Sequence, residues 1–288
     1  MPAPTVSVII PAYHAAAYLP ETVKSVFAQS LRPHEILIVD DGSKDNTFDV
    51  ASTLPSPVRA LRKPNGGPAS ARNFGAREAT GEWLAFLDAD DSWMPEKLER
   101  QMALAAKGAG LVHCLYKPGL NPPDSVTFED LWKENCIATS TVAIRRDVFL
   151  ESGGFDEDRA LIGVEDYNLW LKVAARKRTI LTLRENLISY TRAAGSLTQQ
   201  VERFAKAELV NLDKIASELN LDPAKVAAKR GQVWEQYGRE LLHYRHTAAA
   251  RQYLGLALKQ KFSPSRFVWW AVSMAPPAVL RAWKSMRS

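Results

Sequence analysis

Short runs of β-branched and aliphatic residues alternate with helix-period stretches over the first 115 residues, a pattern that predicts βα units around a mainly parallel sheet. Val6 to Ile10 predicts a first strand, and Tyr18 to Gln29 a helix with Leu19, Val23, Val26 and Phe27 on one face. Glu35 to Val39 predicts a second strand that ends in Asp40-Asp41-Gly42-Ser43, turn chemistry in which Ser43 or Asp45 caps the next helix. Val58 to Leu61 predicts a third strand, Asn65-Gly66-Gly67-Pro68 a turn, Ala69 to Ala79 a helix and Trp83 to Leu87 a fourth strand. Asp88-Ala89-Asp90-Asp91 then stands at that strand's carboxyl end. A helix near Pro95 to Ala106 and a strand near Leu111 to Leu115 follow, and the pattern loosens through the Pro- and Gly-rich stretch Lys117 to Thr127. Thr139 to Ile144 predicts a strand, Gly153 to Glu157 a turn, Glu165 to Ala175 a helix and Leu181 to Tyr190 the end of this mixed region. Beyond Gln199 no strand-like alternation survives. That part predicts two to four helices, with Ala224 to Gln260 as a helical hairpin. The expected organisation is an α/β domain over residues 1–198 and a helical C-terminal region over 199–288.

At 288 residues, 46% hydrophobic and 24% charged, the chain has the composition of an ordered globular protein with a sizeable core. Its cysteines, Cys114 and Cys136, form neither a disulfide framework nor a CxxC metal pair, which fits a reducing, cytoplasmic setting. Met1 to Thr5 has no basic leader, and no stretch reaches the roughly 18 to 20 apolar residues of a membrane span. The net charge of +5 is unevenly spread. Residues 1–200 are net negative, whereas the 48 residues after Glu240 hold eight Lys or Arg and no acid.

In open α/β sheets ligands bind beyond the carboxyl ends of the strands. Here those ends carry Asp40 and Asp41 after the second strand and Asp88, Asp90 and Asp91 after the fourth. A lone Asp is most simply a turn or cap residue. Two clusters at equivalent positions point instead to a site. Asp88 and Asp90, spaced i and i+2, aim to one side of extended chain and repel one another. A hard cation such as Mg2+ or Mn2+ relieves that repulsion while leaving positions for water and phosphate oxygens, a site suited to a diphosphate.

Taken in order, several segments resemble family 2 glycosyltransferases of the GT-A fold: Val6-Ser7-Val8-Ile9-Ile10-Pro11-Ala12-Tyr13, Val39-Asp40-Asp41-Gly42-Ser43, Asn65-Gly66-Gly67 with Ala71-Arg72-Asn73, Phe86-Leu87-Asp88-Ala89-Asp90-Asp91, Gly153-Gly154-Phe155-Asp156, and Glu165-Asp166 with Trp170. The resemblance implies a nucleotide-diphosphate sugar donor. It places Asp41 at an imide edge of the base, Tyr13 stacked on or flanking it, and Pro11 against the nucleoside through its backbone. Arg72 and Asn73 would sit beside the nucleoside or diphosphate. Asp90 would be the principal ligand of a divalent metal, with Asp88 nearer the sugar or ribose, and Asp91 reads as a cap for the helix near Pro95. Asp166 resembles the general base, which implies inversion at the anomeric carbon. Glu165 would be its orienting partner or an N-terminal helix charge.

The sequence also departs from the family pattern. Ala193 occupies the His position of a Tyr-Arg-x-His-x-x-Ser stretch, and His14 stands where Asn is usual after the Tyr, with no ligand role expected. The Gln-x-x-Arg-Trp motif of processive synthases is absent, which favours transfer of a single sugar to a glycan or lipid-linked glycan over polymerisation. Residues choosing donor and acceptor fall in Leu115 to Thr141 and in the loop before Glu165. Phosphate-loop, dinucleotide, zinc-protease and nucleophile-elbow motifs are all missing. A competing reading is a non-catalytic nucleotide-sugar-binding or scaffold protein. The basic end, with Lys259, Lys261, Arg266, Arg281, Lys284 and Arg287 among Phe262, Phe267, Trp269, Trp270 and Trp283, suits either the cytoplasmic face of an anionic membrane or a terminal helix packed on the protein. Without a recognition motif, nucleic acid is not an expected partner.

Overall fold

In the computed structural model, which describes residues 4–190, 201–244 and 246–275, the expected βα alternation appears as β1 (Val6–Ala12), α1 (Leu19–Phe27), β2 (Glu35–Asp40), α2 (Thr47–Ser52), β3 (Val58–Arg62), α3 (Pro68–Glu78) and β4 (Trp83–Phe86). There follow β5 (Ser92–Trp93), α4 (Lys97–Ala105), β6 (Leu111–Leu115), β7 (Ser125–Val126), α5 (Phe128–Lys133), β8 (Val142–Arg145), α6 (Arg146–Glu151), α7 (Glu165–Ala175), β9 (Ile180–Asn186) and β10 (Ile188–Ser189). Strands β3-β2-β1-β4-β8-β6-β9-β7 form one sheet in that order, and β5 pairs with β10 in a second, two-stranded one. The first four strands of the large sheet are parallel, and β8 runs antiparallel to both β4 and β6. This is the mainly parallel mixed sheet expected from the sequence.

Strand β1 is buried at every position except Pro11. The missing N–H of Pro11 costs no bond to β4, because that pairing ends at Ile9 with Phe86. On one face Val8, Ile10, Ile36 and Ile38 pack with Leu19, Val23 and Val26 of α1. Phe27, expected on the same stripe, is the last residue of α1 and is exposed. On the other face α3 approaches closely through Gly75. A Cβ there would lie 2.7 Å from Ile9 Cγ2, well inside van der Waals contact. Phe86, Phe149, Phe155 and Trp170 close this side as a cluster of tilted and edge-on rings.

The strand expected from Thr139 divides in two. Residues Thr139–Thr141 form a 3-10 turn held by the Thr141 N–H and hydroxyl, which both donate to the Ala138 carbonyl, and only then does β8 begin. Because β8 is antiparallel to β4, this turn lies at the carboxyl end of β4, beside Asp88. Helix α5 begins at a capping box between Thr127 and Asp130, just past the stretch Lys117 to Thr127 where the pattern loosens and where no helix was read from the sequence.

Residues 195–288 form a second compact unit, distinct from residues 1–194, and the boundary expected at 198 lies outside the described residues. The unit comprises α8 (Val201–Glu218), α9 (Pro223–His243), α10 (Thr247–Gln260) and α11 (Pro264–Val272). Helices α9 and α10 are the expected hairpin, and with α8 they enclose Val201, Ala205, Val233, Tyr237, Leu241, Ala250 and Tyr253. No described helix is long and apolar enough to cross a membrane.

Candidate active site

The carboxyl ends of β1, β2 and β4 and the first turn of α7 gather the acidic residues singled out in the sequence. At the end of β2, the Asp41 N–H donates to the Ala12 carbonyl, which sets Tyr13 and Asp41 side by side. Tyr13 is exposed and its ring stacks on His14 at 4.2 Å. Partly buried Pro11 precedes them on β1. The Asp41 carboxylate is buried and engaged by its own chain. Lys63 Nζ donates to it at 2.7 Å, the Gly66 N–H at 2.9 Å and the Gly67 N–H at 2.7 Å. Arg159 donates to Asn65 Oδ1 in the same loop. Thus Asp41 fixes the loop that leads into α3.

Arg72 on α3 is the hub of the site. Its buried guanidinium donates through Nη2 to Asp88 Oδ1 and through Nη1 to Glu165 Oε1, both at 2.7 Å, and lies over the Phe155 ring. Those two carboxylates outweigh the cost of burial and raise the Arg72 pKa further. Its neighbour Asn73 is spent on the 153–157 turn: the Phe155 N–H donates to its Oδ1, and its Nδ2 donates to the Phe155 carbonyl and to Glu157. Gly154, at φ +68°, permits that contact, since a Cβ there would stand 2.8 Å from Asn73 Oδ1.

The turn after β4 is pinned by Ser140, whose Oγ accepts the Asp88 N–H at 3.1 Å and donates to Asp91 Oδ2 at 2.6 Å. Asp91 is buried on that contact. It caps no helix, because α4 starts only after Glu96. Asp90, partly exposed, makes no ion pair among the described residues, and partial burial together with the Asp88 charge raises its pKa. Two adjacent carboxylates, one of them uncompensated, are the hard oxygen donors a divalent cation takes, so the donor set fits such an ion. Among the described residues no group of three or more His, Cys, Asp or Glu side chains could hold a metal, so water and phosphate oxygens would fill the other positions.

Glu165 and Asp166 open α7 and have different environments. Glu165 is buried and committed to Arg72. Asp166 is partly exposed, receives the Thr139 hydroxyl at 3.0 Å and its own helix's Tyr167 N–H at 2.6 Å, and has no cation bonded to it among the described residues. Its pKa is raised well above the carboxylate range, chiefly by desolvation and then by the Glu165 charge, against the opposing pull of Arg72. Tyr116 and Tyr190 meet edge to face at 6.0 Å. Desolvation and the charges of Asp91, Asp88 and Asp166 push the Tyr190 phenol pKa up. A groove of about 400 Å³ lined by Pro118, Asn121, Lys133, Glu134 and Cys136 adjoins Tyr116. Lys63, Thr139, Ser140 and Tyr116 were not read from the sequence, while Tyr190 was noted only as part of a motif. Residues 191–196 of that stretch, Ala193 included, lie outside the described residues.

This geometry agrees with the comparisons to known proteins. Residues 7–148 match the model of the family described as glycosyl transferase family 2. A Bacillus subtilis protein named "Putative teichuronic acid biosynthesis glycosyltransferase TuaG" is 32% identical over 219 residues, which cover 70% of this chain and 85% of that one. An "Uncharacterized glycosyltransferase" of Haemophilus influenzae is 32% identical over 183 residues, 58% of this chain and 61% of its own length. The chain thus spans less than two thirds of that relative. Two solved structures share the fold. Pyrobaculum calidifontis mannosyltransferase PcManGT, in complex with GDP-Man and Mn2+, has TM-score 0.67 at 21% identity, over 99% of this chain and 84% of that one. S. aureus TarS, in complex with UDP-GlcNAc, has TM-score 0.63 at 20% identity, over 94% of this chain and 79% of that one. The chain belongs to family 2 of the glycosyltransferases, with a GT-A fold.

Proposed function

We propose that the protein is an inverting glycosyltransferase that moves one sugar from a nucleoside diphosphate donor to a hydroxyl of a glycan or lipid-linked glycan, in the assembly of a cell-surface polysaccharide. The observation that carries this reading is the pairing of Asp166 with the Asp88-Asp90 turn. The 139–141 turn joins them, with Thr139 bonded to Asp166 and Ser140 bonded to Asp88. Arg72 spans the same gap from the other side through Glu165 and Asp88. The named biosynthetic role of the B. subtilis relative and the donors in the two solved structures support the substrate classes.

In this reading Tyr13 and Pro11 flank the nucleoside, with Asp41 and its Lys63–Gly67 loop as the neighbouring wall. Asp90 and Asp88 would hold Mg2+ or Mn2+, which when bound acts as a Lewis acid toward the departing diphosphate. Arg72 keeps Asp88 oriented and places a fixed positive charge near the same group. Asp166 accepts the proton of the acceptor hydroxyl as that oxygen forms its bond to the anomeric carbon. The bond from that carbon to the diphosphate oxygen breaks on the opposite face, so the configuration inverts. A raised pKa makes Asp166 a better proton acceptor than an exposed carboxylate while leaving it substantially ionised above neutrality. The groove beside Tyr116 is the acceptor's seat.

A thermal-shift screen of nucleotide sugars with Mg2+ or Mn2+ identifies the donor, since a bound ligand stabilises the fold by mass action. Nuclear magnetic resonance of the product's anomeric proton then reads the stereochemistry. Inversion is expected, and a retained configuration would overturn the assignment of Asp166. Donor binding with no transfer to any glycan acceptor would instead favour a nucleotide-sugar-binding scaffold.

A further inference from the structure

Helix α11 packs Trp269 and Val272, both partly buried, against the core of its unit, yet it buries a charge and turns much of its other apolar surface outward. The only helix residue it buries is Arg266, while Phe267 and Val268 are 47% and 56% exposed. The burial of Arg266 is fully compensated. Its Nε donates to Glu235 Oε2 at 2.8 Å, and its Nη1 donates to the carbonyls of Ala257 at 2.9 Å and Lys261 at 3.2 Å. Ser263 caps the first turn by accepting the Arg266 N–H. These bonds to α9, α10 and the chain between α10 and α11 fix the helix rotation, and the opposite side is therefore set outward. There Phe267, Val268 and Ala271 are exposed on one helical stripe, and Met274, in the turn just after the helix, is exposed as well. Phe262, 69% exposed, extends the stripe, with its ring 6.5 Å from that of Phe267, which in turn lies 6.1 Å from Trp270.

We propose that this face of α11 docks on an anionic lipid bilayer, which would make the protein peripheral on the cytoplasmic membrane face. Charge selects that occupant. Lys259 and Lys261 are exposed at the end of α10 beside the aromatic stripe, and no acidic residue follows Glu240. Glu235, the acid nearest the stripe in the bonding pattern, is neutralised by Arg239 and Arg266. A second copy packed face to face on the same stripe would bring two pairs of lysines together, like charge against like. An anionic headgroup layer instead attracts the lysines while its acyl boundary accepts Phe262, Phe267, Val268 and Met274. The inference does not depend on which sugar is transferred, or on transfer at all.

The test uses the full chain and vesicle flotation, with phosphatidylglycerol-containing vesicles against phosphatidylcholine alone. Binding should be at least about tenfold stronger to the anionic vesicles. Phe267→Ser with Val268→Ser should lower that binding by about tenfold or more, because the apolar insertion is lost. Lys259→Gln with Lys261→Gln should lower it several-fold and flatten its salt dependence. Circular dichroism and donor-induced thermal shift should match wild type in both double variants, since every substituted side chain is exposed. Unchanged flotation of the Phe267→Ser, Val268→Ser variant would overturn the proposal, and so would equal binding to both vesicle types. A concentration-dependent dimer in light scattering that this variant abolishes would assign the face to a second copy and overturn it as well.

Discussion

Glu35 at the amino end of the large sheet and the partly exposed Asp90 and Asp166 at the candidate site are treated in opposite ways. At the amino end, Glu35 opens β2 and its carboxylate accepts from the Ser7 hydroxyl, the Thr80 N–H and hydroxyl, and Arg59. Desolvation alone would raise its pKa, but these bonds win and bring it down from 4.5 to about 2. At the carboxyl end, Asp90 and Asp166 each have fewer partners and a neighbouring like charge, and the pKa of both is raised. A protein that can satisfy a buried acid so completely at one end has the means to do so at the other. Leaving Asp90 and Asp166 under-compensated costs stability, and such a cost is what an active site carries.

The comparison breaks most directly at Asp166. Asp166→Asn should lower turnover about 10²–10⁴-fold, the usual worth of a general base. Donor binding by thermal shift should persist, and the unfolding midpoint should stay level or rise, because a costly charge has gone. Wild-type turnover, or a clear loss of stability, would place Asp166 with Glu35 as a structural acid. Next in size is Arg72→Met, which leaves Glu165 buried without its cation and frees Asp88. Breaking such a pair costs about 3–5 kcal/mol, to be read from urea unfolding. A loss below about 1 kcal/mol would mean that the hub is a surface-like contact.

How far the site could be read from sequence follows from how far apart its partners lie. Asp88 and Asp90 were legible because a strand pattern runs directly into them, and Asp166 because its segment resembles a known family. What those acids touch was not legible. Thr139 reaches Asp166 across 27 residues, Ser140 reaches Asp91 across 49, and Arg72 reaches Glu165 across 93. Periodicity says nothing of such pairs. For the same reason the bonds that Lys63, Gly66 and Gly67 make to Asp41 were not legible, and Asp91 read as a helix cap when Ser140 holds it. The fold fared better, since alternation and helix spacing are local, although the turn at Thr139–Thr141 was hidden inside an apparent strand. In the second unit the lysines and aromatic residues around α11 were visible in the sequence. That the stripe of α11 faces outward depends on Arg266 meeting Glu235, 31 residues earlier.

The amino end supplies the reciprocal test. Because the folded pKa of Glu35 lies below its unfolded value, its contribution is present above about pH 4.5 and is lost as pH falls toward 2. A shift of that size corresponds to about 3 kcal/mol. Glu35→Gln should therefore lose about 2–3 kcal/mol at neutral pH, flatten the pH dependence of unfolding across that window, and leave transfer unchanged. A fall in transfer without a fall in stability would reverse the roles assigned to the two ends.

The smallest effect, and the finest test, is at Thr139. Its hydroxyl donates to Asp166 and so favours the ionised form, against desolvation and the charge of Glu165. Thr139→Val keeps the side-chain shape and removes that bond, so the Asp166 pKa should rise further, by about one pH unit for a bond worth about 1.4 kcal/mol. A base must be ionised to accept a proton, so the acid limb of the kcat profile should move to higher pH by the same amount. On the alkaline plateau, where Asp166 is ionised in both proteins, kcat should return to near the wild-type value. A Thr139 that merely props the 139–141 turn would depress the plateau and leave the limb in place, because misplacing the Asp88 turn slows transfer at every pH. The profile therefore separates the tuning of a proton acceptor from the packing of a loop.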